Sequence, residues 1–214
     1  MKKRTYFYSS LFILIFFGTL ALFYWFFKSP YFIVVDAWVK TNIITYVFFL
    51  FLYKSVGVLF PPIPAGLVTM ASIPFLGWFG AYSVDLAGSL AGGMIAYFLG
   101  KKYGHPLLLK ILGSDLTRKI EKVKVNRNRE IEAVFMYRIA LGSTILEAVY
   151  YGAGFLKIGF GNFLVGSLLS HILVGVPSFY LANNILQGSN IALTIILTVI
   201  GIIFVLYTKG RYFE

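Results

Sequence analysis

The chain has 214 residues, of which 59% are apolar and only 13% charged, and its formal net charge is +11. A water-facing surface for a domain of this size would need far more polar residues, so an ordinary soluble protein is excluded. There is no cysteine, which removes disulfide frameworks, thiolate metal sites and cysteine nucleophiles together. The basic excess would suggest nucleic acid in a soluble protein. Here the cations gather between and beside apolar stretches, as in the cytoplasmic loops of membrane proteins, and nucleic acid is not an expected partner.

Lys2, Lys3 and Arg4 precede an apolar run over 8–27. That run is longer than a signal-peptide core, and Lys28-Ser29-Pro30 follows it instead of a small-x-small cleavage site. It is expected to be an uncleaved first transmembrane helix with its basic end inside. Residues 29–42 read as a short amphipathic connector with Asp36, Trp38 and Lys40, so 1–42 form a first unit. A second apolar stretch, 43–60, meets Pro61-Pro62-Ile63-Pro64. These prolines withhold backbone donors and bar the residues before them from α geometry, so the helix must stop. Apolar sequence resumes at Ala65 and continues to Gly100, where Lys101 and Lys102 follow.

The 101–132 segment is the hydrophilic part of the chain, with nine Lys or Arg and four acids. Apolar sequence returns at 133–158, 160–182 and 189–208, before Lys209 and Arg211. If 43–60 and 75–100 both crossed after an N-inside first helix, the nine cations would lie outside, against the positive-inside bias. A re-entrant hairpin over 43–74, entering and leaving from outside, puts them inside. A second hairpin over 133–158, entering from inside, leaves 160–182 and 189–208 as full spans with both termini cytoplasmic.

The expected fold is therefore an all-α polytopic membrane protein: about four full transmembrane helices and two opposed re-entrant helical hairpins. Its central domain is 43–182, with 183–214 as a last helix and tail. Phe75-Leu76, Phe79-Gly80 and Gly88-Ser89-Leu90 echo Phe155-Leu156, Phe160-Gly161 and Gly166-Ser167-Leu168, once per hairpin-plus-span unit. Such an echo in opposed units is the mark of an inverted-repeat transporter.

Charge within apolar spans is the sharpest functional signal, since an Arg, Lys or Asp at mid-membrane costs roughly 2.5–3.5 kcal/mol even on lenient insertion scales. Lys54, Asp85, Arg138 and Glu147 qualify. One reading is a hydrated site between hairpin tips, in which Lys54 and Arg138 bind an anionic group and Glu147 or Asp85 balances charge or carries a proton. The alternative is that Lys54 snorkels to an interface and Arg138 and Glu147 form a structural ion pair. Pro64 and Gly66 either end a helix or unwind the chain at a binding site. Gly88 with Gly92, and Gly100 with Gly104, read as close-packing pairs. His171, alone in its span, reads as a proton carrier or as a side chain hydrogen-bonded to a neighbouring helix. The basic segment over 101–129 orients the chain, and its cations can also gather anionic headgroups. Motifs for nucleotide, metalloprotease or serine-hydrolase chemistry are missing, so no enzyme activity, metal or other cofactor is expected.

The run Phe60-Pro61-Pro62-Ile63-Pro64-Ala65-Gly66, through Gly88, Gly92 and Tyr97 to Gly100-Lys101-Lys102-Tyr103-Gly104, resembles the DedA family of VTT-domain proteins, also called SNARE-associated Golgi proteins. Tyr137-Arg138, Tyr151-Gly152-Ala153-Gly154-Phe155 and Phe163 continue the resemblance, which covers about 45–182. It implies two opposed re-entrant hairpins among full spans, in a bacterial cytoplasmic membrane. It also implies membrane lipids with anionic headgroups as partners, and movement of a phospholipid or polyisoprenyl phosphate between leaflets. Arg138 matches the family's second-hairpin arginine, and Pro64 and Gly66 its first-hairpin turn. Lys54 stands where many bacterial members carry an acid, Leu141 where a proline is usual, and Thr144 where a second arginine is usual. An ion-coupled small-solute carrier and a non-transporting scaffold stay as alternatives, and self-association is open.

Overall fold

A computed structural model of the chain describes residues 18, 21–23, 25–60, 63–123, 125–141, 146–187 and 196, except for the side chains of 140, 141, 146 and 147. Among the described residues every regular element is helical and there is no strand. Helix α1 (Tyr31–Thr41) and helix α2 (Ile43–Gly57) meet at an angle of 105°. Asn42 makes that corner: its φ of −124° leaves the helix, while its side-chain amide donates to the Trp38 carbonyl. Helix α3 (Ala65–Ala71) starts directly after Pro64, whose ring cannot continue a preceding helix.

Helix α4 (Ile73–Glu121) is interrupted where Gly77, Gly104 and Gly113 take φ of 70°, 57° and 78°. Its uninterrupted central stretch, 78–103, is long enough to cross a hydrocarbon core of about 30 Å. A 3-10 turn (Arg127–Arg129) leads into helix α5 (Glu130–Leu141), and helix α6 (Leu146–Phe155) and helix α7 (Phe160–Gln187) follow. Helices α4 and α7 are long and apolar enough to span a membrane, and the bent pair α1–α2 makes a third candidate if taken as one span. The expected spans at 8–27 and 189–208 lie largely outside the described residues.

Contacts give the helix directions. A methyl placed on Gly57 would overlap Ala65, Lys54 Nζ lies by Gly66, and Tyr46 Oη and Ser72 Oγ are 2.7 Å apart, so α2 and α3 run antiparallel. Helices α4 and α7 are antiparallel as well: Tyr97 stacks on Phe163 at 4.8 Å, Tyr82 meets Phe179, and Trp78 meets Tyr180. Gly93 faces Tyr150 while Gly154 faces Tyr97, so α6 runs with α4; Val134 meets Gly166 and Arg138 meets His171, so α5 runs with α7. Two antiparallel helix pairs therefore flank two opposed long helices.

The echo in the sequence has a packing counterpart. A methyl on Gly88 would lie 3.2 Å from the Phe51 carbonyl and 2.7 Å from Lys54 Cβ. One on Gly166 would lie 2.8 Å from the Ile131 carbonyl and 2.9 Å from Val134 Cβ. In each unit the long helix seats a glycine on a carbonyl, and on the Cβ three residues later, of the first arm. Gly100 likewise lets α4 close on the Tyr151 carbonyl. Gly104 differs from the packing role expected for it: its nearest neighbour is Phe155 at 3.9 Å, and its positive φ breaks the helix instead.

Tyr97, Tyr150, Tyr151 and Phe163 are almost fully enclosed at the centre. The Tyr97 hydroxyl donates to the Ile158 carbonyl at 2.5 Å, and Tyr151 reaches the Leu59 carbonyl at 3.2 Å, so buried phenols find acceptors. Large apolar side chains including Phe48, Phe49, Phe79, Leu169 and Leu173 face outward. Such an exposed apolar exterior suits contact with lipid and not with water.

Candidate functional site

The aligned helices bring three of the four charges singled out in apolar sequence into one buried cluster. Lys54 comes from α2, Asp85 from α4 and Arg138 from α5, with exposures of 5%, 3% and 5%. Lys54 Nζ is 2.6 Å from Asp85 Oδ1. Gly88, one turn after Asp85, has no side chain, and this lets the Lys54 stem pass across α4. Thr69 Oγ1 of α3 lies 2.5 Å from the same Asp85 oxygen.

His171 of α7 connects the two units. Its Nε2 lies 3.2 Å from Asp85 Oδ2, within ion-pair range but without the alignment of a hydrogen bond. Its Nδ1 lies 3.1 Å from Arg138 Nη2. Arginine can only donate, so Nδ1 is the acceptor, and His171 is a neutral imidazole carrying its proton on Nε2. Arg138 Nη1 donates to the Tyr150 hydroxyl, and the guanidinium carbon stands 5.1 Å from that ring's centroid. The polar chain thus runs Lys54, Asp85, His171, Arg138, Tyr150, from one helix pair to the other. With His171 neutral, the described groups comprise two cations and one carboxylate, a net positive charge held away from water. Such a cluster is costly unless well paired or ready to receive an anion.

Lys54 and Asp85 pair directly, and Arg138 joins them through His171. Gly66 abuts the Lys54 ammonium, since a methyl there would sit 3.7 Å from Nζ. Pro64 is the residue before α3 and sets where that helix begins. The side chain of Glu147 lies outside the described residues. Lys54 does not snorkel to an interface; it turns inward to a carboxylate. His171 fits the reading as a side chain held by neighbouring helices, touching a carboxylate of α4 and a guanidinium of α5.

Sequence reasoning missed Thr69, Tyr150 and Tyr82. Thr69 follows Gly66 by three residues and so shares its helical face, a legible signal. Tyr82 precedes Asp85 by three residues in the same way, and its ring centroid stands 5.8 Å from that of His171. Tyr150 gave no such signal, being one of many tyrosines in the chain.

Beside the cluster, α2 and α4 leave an open apolar groove of about 530 Å³, lined by Ile43, Val47, Phe51, Val84 and Ala87 among others. None of the cluster's charged residues lines it, although Val84 adjoins Asp85. At one end of the fold the 101–129 segment exposes Lys101, Lys102, Lys110, Arg118, Lys119 and Lys122. Comparison of the chain with protein-family models, with curated proteins and with solved structures gives no match.

Proposed function

We propose that the chain is a non-enzymatic membrane transporter that moves an anionic lipid, a phospholipid or a polyisoprenyl phosphate, between leaflets. The observation that carries this reading is the buried, net positive Lys54–Asp85–His171–Arg138 chain joining two opposed helix pairs. Under it, α2–α3 and α5–α6 are re-entrant hairpins, Arg138 and Lys54 recognise the phosphate, and Asp85 serves as counter-charge, with Glu147 as a further candidate for that role. The apolar groove beside the cluster has the size and lining for an acyl or prenyl chain. The membrane is a bacterial cytoplasmic one, with both termini and the basic segment inside. The similarity to DedA proteins read from the sequence agrees with this reading.

A second reading, an ion-coupled carrier of a small solute, is favoured by one feature: His171, a titratable ring, bridges a carboxylate and a guanidinium. Leaflet exchange in proteoliposomes separates the two. Labelled anionic phospholipid and labelled polyisoprenyl phosphate are offered to wild type and to Arg138→Lys. Exchange by wild type, reduced at least tenfold in the variant, supports lipid translocation. No exchange of either lipid by correctly inserted wild type removes it, and solute-dependent proton uptake would then establish the carrier.

A further inference from the structure

Helix α1 turns away from α2 at a sharp corner, and its two faces differ in chemistry. Tyr31, Val34 and Trp38 recur at intervals of three and four residues and so share one face, where they are 61%, 67% and 47% exposed. Asp36 and Lys40, four residues apart, lie on the opposite face and pair at 2.6 Å, with the Lys40 side chain 72% exposed. Neither bulk water nor hydrocarbon suits both faces: the first would wet three large apolar side chains, and the second would strip the lysine of solvent. The neighbours set the direction of the axis. Phe51 and Lys54 meet Gly88 while Ser55 and Val58 meet Gly92, so α2 runs with the long helix α4. The 105° corner at Asn42 then lays α1 across that direction. Its Phe32 ring rests on Phe75, 5.4 Å between centroids, just before the 78–103 stretch begins and at the end of it away from Lys101 and Lys102. At about 1.5 Å per residue, the 11 residues of α1 reach about 16 Å and the 15 of α2 about 22 Å, each short of the hydrocarbon core.

We infer that α1 lies flat in the headgroup zone of the leaflet opposite the basic 101–129 segment, with Tyr31, Val34 and Trp38 dipping toward the acyl chains and the Asp36–Lys40 pair in the water. Its partner is thus a lipid surface, and it does not join α2 in a single span. Tyr31 and Trp38 suit that depth, because each combines an apolar ring with a polar atom. The apolar face is continuous with the lipid-facing exterior, for Ile44, Phe48 and Phe49 are exposed on α2 directly past the corner. Ile43 and Ile44 also line the groove between α2 and α4, so α1 holds the mouth of that groove at the depth where acyl chains begin. This placement holds whether or not the chain moves lipid.

The sequence has no cysteine, so single thiols report position in the full chain reconstituted in lipid vesicles. Val34→Cys, Lys40→Cys, Phe49→Cys and Lys110→Cys each replace an exposed side chain, which leaves the packed core untouched. Spin labels on these thiols are tested for collision with oxygen, which concentrates in hydrocarbon, and with a nickel chelate, which stays in water. The nickel-to-oxygen ratio at position 40 is expected to exceed that at position 34 roughly fivefold or more, with the label at 34 about 5–10 Å below the headgroups and shallower than the one at 49. An impermeant maleimide is expected to reach positions 40 and 110 from opposite sides of the membrane. The placement is overturned if the nickel chelate reaches 34 and 40 equally, which puts α1 in water. It is equally overturned if both labels favour oxygen, which puts α1 in the hydrocarbon as part of a span. Labelling of 40 and 110 from the same side overturns it too, since α2 then starts at the basic end.

Discussion

The Lys54 ammonium and the Asp85 carboxylate stand 2.6 Å apart with both side chains about one-twentieth exposed, so each is the other's substitute for water. Removing one partner leaves a buried unpaired charge, which typically costs about 3–5 kcal/mol, whereas replacing both with apolar side chains of similar volume is often near neutral. Asp85→Ala is therefore expected to melt well below wild type in detergent. The double variant Lys54→Met/Asp85→Leu is expected to recover most of that loss. In leaflet exchange the double variant should stay inert despite its recovered stability. A double variant less stable than Asp85→Ala would mean that Asp85 depends on Thr69 and His171 more than on Lys54.

Arg138 makes a second prediction, on geometry at constant charge. Its two terminal nitrogens address Tyr150 and His171 from one planar fork, while a lysine offers a single ammonium. Tyr150→Phe keeps the ring beneath the guanidinium but deletes the acceptor, and is expected to cost about 1–3 kcal/mol. Arg138→Lys and Tyr150→Phe should be strongly non-additive, because either change alone disrupts the same contact. Thermal unfolding of both singles and the double would check this, and additive losses would show that the two residues act independently.

The sequence made some of this legible and hid the rest, for physical reasons. The prolines before Ala65 and the charges at Lys54, Asp85 and Arg138 were visible because each is costly in an apolar segment and so carries information by being there. The partners were not visible. Pairing Lys54 with Asp85, and Arg138 with His171, depends on how far each helix advances per turn against its neighbour, and one chain contains no record of that register. At Gly104 a small residue four positions after Gly100 fits a packing stripe, and only the backbone angle distinguishes a helix break from packing. Tyr150 escapes for the opposite reason: in a chain this rich in aromatics, a phenol that meets a guanidinium looks like an interface anchor.

Glycine packing supplies a graded prediction. A methyl at Gly100 would overlap the Tyr151 carbonyl and one at Gly154 the Tyr97 carbonyl, and backbone atoms cannot move aside as side-chain tips can. Overpacking of this kind typically costs about 1–3 kcal/mol, so Gly100→Ala and Gly154→Ala should each lower the melting temperature. Gly161 sits in α7 with nothing within 4 Å of its added methyl, and Gly161→Ala should match or slightly exceed wild type. If all three variants melted alike, the close approach of α4 and α6 would not be what holds them together.

Glu130 gives the chain a pH dependence whose sign can be worked out. At the start of α5, outside the long spans, Glu130 Oε2 accepts from the Gly159 amide at 2.7 Å and from Asn162 Nδ2 at 2.9 Å. Its other oxygen accepts from Arg127 Nη1 at 2.8 Å, and that same nitrogen donates to the Lys157 carbonyl. The carboxylate therefore ties the start of α5 to the α6–α7 connection and the start of α7. Hydrogen bonds from Asn162, then Arg127, hold its pKa below the usual 4.5. A carboxyl with a depressed folded-state pKa binds more protons when unfolded, so its stabilisation is complete above about 4.5 and is lost as the pH falls through the folded value. Other carboxylates titrate over the same range, so the informative quantity is the difference between wild type and Glu130→Gln. That difference in melting temperature should be largest at neutral pH and shrink as the detergent solution is acidified below about 4.5. A difference that stayed constant down to the acid limit would show that the contacts of Glu130 owe nothing to its charge. The connection between α6 and α7 would then be held by the neutral hydrogen bonds alone.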